Sequence, residues 1–453
     1  MQFRAINRRT LGKSNYYKPN SIPKKMQEIY FETYGCTANY NSTEIMKGLV
    51  QQAGLNITQD EKFADLIIIN SCIVKEPTEE KIRRKVSDLL KKKNKIILAG
   101  CMPRINRQKL QEPNLYLLDT SHVKDITKLI QDIESNQYDE DKYLKPRREV
   151  KLQQPKVAKE KTIGITQISE GCQGQCTYCI VRLAKGDLFS YPQEEIIESI
   201  KQDLNSGAKE IYITSQDCAA YNNDNGKHSL PKLLKEILKI KKKFFLRVGM
   251  MNPNNVLPIL KPLIEVYKDP KMYKFLHIPI QSGSDKILEE MKRKYKSKEI
   301  LEIVKAFRKE FPDIHISTDI IAGYPEETEE DWKQTLEIFH EMQPETINPS
   351  RFYPRQKTPA SRLRQLPPEI ITARTTQLSK LHKQMCNENQ KKFLNIEHEV
   401  LVNSKGFENT YMARDKNYRL FAVQSRDKNI LGKKVKVKVK MVSSHYLISE
   451  VVD

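Results

Sequence analysis

Cys172, Cys176 and Cys179 sit in the stretch GCQGQCTYCI, three thiols at spacings of four and three in a chain with eight cysteines among 453 residues. That spacing does not place three side chains on one helical face, and it fits a loop wrapped around a metal centre. Two chemistries suit such a loop. A structural zinc site takes four protein ligands, and Cys218 is available as a fourth. An iron–sulfur cluster held by three thiolates leaves one iron open to a small molecule.

Three further cysteines are placed by their neighbours rather than by spacing. Cys36 follows IYFETYG, Cys72 follows LIIINS and Cys101 follows KIILAG, each an apolar strand-like run. In an open parallel sheet the carboxyl ends of the strands share one edge, where ligands bind, so these residues can converge. Each alone reads as a small buried hydrophobe. Three at equivalent topological positions argue instead for a second thiolate site. Cys218 and Cys386 are left over and read as packing residues.

The elements that must carry these residues fall into three blocks. A length of 453 residues exceeds one hydrophobic core. From residue 27 to 138 strand and helix alternate, predicting a Rossmann-like parallel α/β domain. Its first helix is expected over NSTEIMKGLVQQAG, capped by Asn41 or Ser42 and closed by Gly54. Residues 139–160 are charged and weakly periodic, and read as a linker. A second α/β series over 161–390 holds six strand–helix units, which predict a partial (β/α)6 barrel. Residues 391–453 change to short β segments with thirteen basic and seven acidic residues, predicting a small β-barrel.

The net charge of +21 is spread over all three blocks and suggests a long polyanion as partner. The first 25 residues hold seven Lys or Arg and no acid, without the apolar stretch of a secretory signal. Residues 1–26 therefore read as a disordered basic arm on a cytoplasmic protein. No apolar run has the length of a membrane span. Phe352 and Tyr353 read equally as base-stacking or core aromatics.

The C-x3-C-x2-C loop, with Tyr178 before its last cysteine, resembles the radical SAM enzymes. The likeness extends over nearly the whole chain after the arm. YFETYGCTANYNSTEIMKGLVQQAG, INSCIVKEPTEEKI and LAGCMPR resemble the amino-terminal cluster domain of the methylthiotransferases. FLHIPIQSGSDKILEEMKRKY, STDIIAGYPEETEEDW and INPSRFYPRQKTPA are similar to their radical domain, and the carboxy-terminal segment resembles the tRNA-binding TRAM module. AKGDLFSYP, TSQDCAAY and LRVGMMNP resemble the archaeal and eukaryotic branch that acts on threonylcarbamoyladenosine in tRNA. Lys185 stands where that branch usually has arginine, and lysine does not reproduce a bidentate fork.

The resemblance implies two 4Fe-4S clusters. One is held by Cys172, Cys176 and Cys179 and binds S-adenosylmethionine at its open iron. The other is auxiliary, held by Cys36, Cys72 and Cys101, and carries the sulfur to be inserted. It further implies cofactor contacts from Tyr178, Ser215, Gln216, Asp217, Gln281 and Ser282; no acid or base residue is assigned. A deoxyadenosyl radical would activate carbon 2 of the adenine, and the C–H bond would become C–SCH3. The implied partners are a tRNA anticodon stem-loop carrying threonylcarbamoyladenosine and an electron donor such as ferredoxin or flavodoxin. The sulfur donor is not implied, and no membrane partner is expected. The rival readings are an isopentenyladenosine tRNA or a ribosomal protein as substrate, and a non-catalytic, metal-stabilised RNA-binding protein.

Overall fold

A computed structural model of the protein describes residues 27–452. The basic arm expected over 1–26 lies outside the described residues.

The first domain is a five-stranded parallel sheet of β1 (Glu28–Thr33), β2 (Asn56–Thr58), β3 (Leu66–Ser71), β4 (Lys95–Gly100) and β5 (Leu115–Asp119), in the order β2-β1-β3-β4-β5. Every residue of β3 is buried, as a central parallel strand covered on both faces requires. Ile68 faces one apolar core and Ile67 and Ile69 face the other.

The first helix spans Thr37–Gln52, starting earlier than its sequence suggests, with Cys36 at the cap position. Asn41 and Ser42, expected as caps, are instead buried inside it. The extra turn is held from outside the helix. Asn39 Nδ2 donates to the carbonyls of Tyr34 (2.8 Å) and Ser71 (2.9 Å), and Asn70 Nδ2 donates to Asn39 O at 2.8 Å.

Residues 139–160 connect the first two domains but are tied down along their length. They include a helix at Glu140–Leu144, the buried Tyr143 and Leu144, and Lys151 at 0% exposure.

The second domain carries six parallel strands: β6 (Ile163–Gln167), β9 (Glu210–Thr214), β10 (Phe245–Val248), β11 (Phe275–His277), β12 (His315–Ala322) and β13 (Thr346–Arg351). A short antiparallel pair, β7 (Ser169–Glu170) and β8 (Phe189–Ser190), brackets the cysteine loop. The strands form two three-stranded sheets, β6-β9-β10 and β11-β12-β13. A parallel bridge from Leu246 to Met272 joins the sheets into one open barrel in chain order.

The third domain is a closed barrel of β14 (Glu397–Lys405), β15 (Thr410–Arg414), β16 (Leu420–Gln424), β17 (Lys434–Val442) and β18 (Leu447–Val451). It seals the amino-terminal ends of the second domain's strands. Asn403 Nδ2 donates to Glu210 Oε1 at 3.1 Å, and the Tyr418 ring centroid lies 4.5 Å from that of Phe275. The opposite ends of those strands, where the cysteine loop begins, stay clear of it. Phe352 is a core residue, edge-on to Tyr324.

Candidate functional site

The loops after β1, β3 and β4 bring Cys36, Cys72 and Cys101 to one edge of the first sheet. Hydrogen bonds fix the loops to one another. Cys101 N donates to Ser71 O at 3.1 Å, and Ser71 Oγ donates to Ala99 O at 2.5 Å and accepts from Met102 N at 3.2 Å. Gly35 has φ +103, and a Cβ there would lie 3.1 Å from Cys72 Sγ. A side chain at that position would therefore occupy the space in front of the thiol. Cys36 is exposed while Cys72 and Cys101 are buried. Burial raises the Cys72 thiol above its ordinary pKa and pushes that of Cys101 up to about 12.

The second triad leaves β7 through Gly171, whose N–H donates to Gln216 Oε1 at 2.8 Å. The loop is pinned at both ends: Cys172 N donates to Gly186 O (3.1 Å), and Thr177 N donates to Met291 O (3.2 Å). Gly174 N donates to Cys172 Sγ at 3.2 Å, and a Cβ on Gly174 would lie 3.2 Å from Cys172 Sγ and 3.6 Å from Cys176 Sγ. The loop thus turns two thiols toward a residue without a side chain. Burial pushes the Cys172 thiol up to about 11 and that of Cys179 up to about 12.

Among the described residues, no three His, Cys, Asp or Glu side chains close on one ion. Cys218 lies in the barrel core at 0% exposure. Its Sγ accepts from Ser215 Oγ at 3.5 Å and would sit 3.0 Å from a Cβ on Gly249. Cys386 Sγ lies 3.1 Å from His382 Nε2.

Of the expected cofactor residues, Asp217 and Gln216 lie beside the second triad, and most polar atoms of the set are already engaged. Asp217 is buried, accepting from Ala219 N (3.1 Å), Asn252 N (3.0 Å) and Asn255 Nδ2 (2.7 Å). Burial raises its pKa, with those donors opposing. It lines a cavity of about 90 Å³ with Cys172, Cys176, Asn252 and Arg293. Ser215 Oγ caps Asp217 N at 3.1 Å, and Gln216 holds Gly171 as above. Gln281 has φ +63 and pairs with Ile320, and Ser282 Oγ lies 3.2 Å from Thr335 Oγ1. Tyr178 is partly buried against a small cluster with Tyr324 and Phe352.

Two sets of residues at this site are absent from the sequence reading in these roles. Arg293, in a Lys-rich run, places Nη1 3.1 Å from Cys176 Sγ and Nε 2.9 Å from Tyr295 Oη. The only signal in the sequence is a lone arginine among lysines beside Tyr295. The other set is an ion cluster at the domain junction. Glu170 accepts from Lys151 Nζ at 2.6 Å, from Lys185 Nζ at 3.2 Å and from Thr120 Oγ1 at 3.2 Å, and Lys185 Nζ also donates to Thr120 Oγ1. Burial works against the Glu170 carboxylate, but the two ammoniums hold it below the usual range.

The two triads share a wall. Ile73, Cys101, Ile180 and Ala184 belong to one apolar cluster. Ile73 and Ile180 directly follow Cys72 and Cys179, and Ala184 directly precedes Lys185. Across the same junction Arg355 pairs with Glu79, which also accepts from Asn106 Nδ2 at 2.9 Å.

Comparison with known proteins matches residues 166–339 to the Radical SAM superfamily, 28–119 to an uncharacterized protein family, UPF0004, and 392–452 to the TRAM domain. A probable threonylcarbamoyladenosine tRNA methylthiotransferase of Pyrococcus horikoshii is 38% identical over 431 residues, covering 94% of this chain and 100% of the relative. A threonylcarbamoyladenosine tRNA methylthiotransferase of Danio rerio is 34% identical, covering 94% of this chain and 79% of the relative. A radical S-adenosylmethionine methyltransferase from Kitasatospora setae, solved with cobalamin and a 4Fe-4S cluster, superposes with a TM-score of 0.54 at 13% identity. That match covers 74% of this chain and 77% of the other, and it concerns the fold alone.

Proposed function

The chain belongs to the threonylcarbamoyladenosine tRNA methylthiotransferase family, and from this premise we propose how its residues divide the work. It is a radical SAM transferase acting on threonylcarbamoyladenosine of tRNA, and it uses an iron–sulfur cluster and S-adenosylmethionine. In our reading, Cys172, Cys176 and Cys179 hold the cluster that binds the cofactor, and Cys36, Cys72 and Cys101 hold a second, auxiliary cluster. The observation that supports this reading is that three thiols follow neighbouring strands of the first sheet and three lie in one loop after β7, with Cys101, Ile180 and Ala184 sharing an apolar cluster between the two domains.

The residues present fit such groups. Each donor set is all thiol, the soft ligand that iron–sulfur clusters take. Gly35 and Gly174 leave open the space beside the sulfurs that a Cβ would fill. Bound there, the two clusters and the cofactor would supply one-electron reductive cleavage and sulfur for insertion, held by the cysteines as thiolates.

The protein's own part is to position and to shield. Arg293 directs one donor at Cys176 Sγ, fixing the side of the loop that faces the small cavity. Asp217, Ser215 and Gln216 brace the rim of that cavity, with Asp217 and Gln216 linking three chain segments around it. In this reading Tyr178, Gln281 and Ser282 also contact the cofactor. Basic residues of all three domains attract the anticodon stem-loop through its phosphates. The electron donor in this reading is of the ferredoxin or flavodoxin class, and the compartment is the cytoplasm. Among the described residues no helix is long and apolar enough to cross a membrane.

Anaerobic reconstitution tests the division of ligands. The wild-type chain should take up about eight irons and the Cys101→Ala chain about four. About four in both would remove the auxiliary site from the account.

A further inference from the structure

The ion cluster at the domain junction holds one more positive charge than negative. Lys151 and Lys185 share the single carboxylate of Glu170, and Asp119, whose charge also reaches Lys151, is already paired with Arg104. Lys151 has 0% exposure, Lys185 8% and Glu170 7%, so solvent compensates little of the excess. A buried, uncompensated charge is costly, and proteins that keep one have an opposite charge within reach.

Lys185 is the member of the cluster that faces the first domain. Its ammonium reaches Thr120 Oγ1, directly after the end of β5, beside the loop that carries Cys101. Ala184, directly before Lys185, belongs to the same apolar cluster as Cys101, and the ammonium donates to Glu170 Oε1 at 3.2 Å. Lys151 Nζ, by contrast, donates to Glu170 Oε1 at 2.6 Å, and burial lowers its pKa against that carboxylate.

We propose that the Lys185 ammonium, carried by the second domain, is the charge partner of the auxiliary cluster held by Cys36, Cys72 and Cys101. This rests on the reading of those cysteines as cluster ligands. A cluster bearing three thiolates is the anion that the excess charge awaits, and docking of the two domains completes its surroundings. Charge and hydrogen bonds near the sulfurs set a cluster's reduction potential. Lys185 is thus a positioning and tuning residue for the sulfur-bearing site.

The test uses the full-length Cys176→Ala chain, which leaves the auxiliary cluster as the sole iron signal, and reads its midpoint potential by EPR-monitored titration. In that background Lys185→Met should move the midpoint to more negative values, Lys185→Arg should restore it, and Lys151→Met should leave it unchanged. Both methionine variants leave Glu170 with one ammonium, so a merely structural role would affect them alike. Loss of iron from Lys185→Met alone also supports the proposal. Equal midpoints, or equal iron loss, in Lys185→Met and Lys151→Met would overturn it. Absence of iron from the Cys176→Ala chain itself would overturn the reading of the first triad, and the proposal with it.

Discussion

Arg293 Nη1 lies 3.1 Å from Cys176 Sγ, joining the segment between the fourth and fifth barrel strands to the middle thiol of the second triad. The guanidinium also rests over the Tyr295 ring, 4.9 Å from its centroid, so its plane is fixed from two sides. Removing such a donor beside a metal ligand generally costs about 10–100-fold in metal affinity or activity. Arg293→Met should lower 5′-deoxyadenosine formation by about that factor while leaving the auxiliary iron in place. Full activity with normal iron content would mean that the contact serves packing alone.

Gly174→Ala isolates the role of space in the loop. The residue does not have positive φ, so the added Cβ meets only Cys172 Sγ and Cys176 Sγ. The variant should fold with an unchanged melting temperature and lose the iron of the second triad, measured by iron analysis in the Cys101→Ala background. Retention of that iron would show that the thiols do not need the gap.

Acid should loosen the junction of the first two domains. Burial works to raise the pKa of Glu79, but hydrogen bonds from Arg355 and Arg83 hold the carboxyl below the usual range. A depressed carboxylate contributes stability that is complete above its unfolded value of about 4.3 and is lost as pH falls through the folded one. Arg355→Ala should cost about 1–3 kcal/mol at neutral pH, since Arg83 remains as partner, and should shrink the further loss near a pH of about 4. Denaturant midpoints at the two pH values measure this; equal acid sensitivity in both proteins would count against the pair.

On the third domain, Lys433, directly before β17, and Lys436 on it are exposed, whereas Lys434 and Lys440 are paired with Glu399 and Glu450. Replacing Lys433 and Lys436 by Ala should weaken stem-loop binding and reduce the slope of log affinity against log salt by up to about 2. An unchanged slope would place the RNA elsewhere.

The placement of Cys36, Cys72 and Cys101 at one sheet edge was legible in the sequence because each follows a recognisable strand, and strand ends in parallel sheets share an edge. The six barrel strands and the closed β domain were legible for the same reason, their apolar runs being separated by clear turns. What stayed hidden depends on tertiary contacts. The early helix start at Thr37 rests on Asn39 reaching the carbonyl of Ser71, a residue 32 positions away. Lys151, in a stretch that reads as linker, is fully buried only because Glu170 meets it. Arg293 looks like one more charge on a basic surface until the fold turns it onto Cys176.

The account centres on two thiol triads with separate duties, and Cys101→Ala separates them most directly. Incubated anaerobically with a reductant, S-adenosylmethionine and tRNA carrying threonylcarbamoyladenosine, the variant should still release 5′-deoxyadenosine. Mass spectrometry of the digested tRNA should then find no 2-methylthio derivative, which the wild-type chain should produce. Loss of 5′-deoxyadenosine together with the product, or continued methylthiolation by the variant, would contradict it.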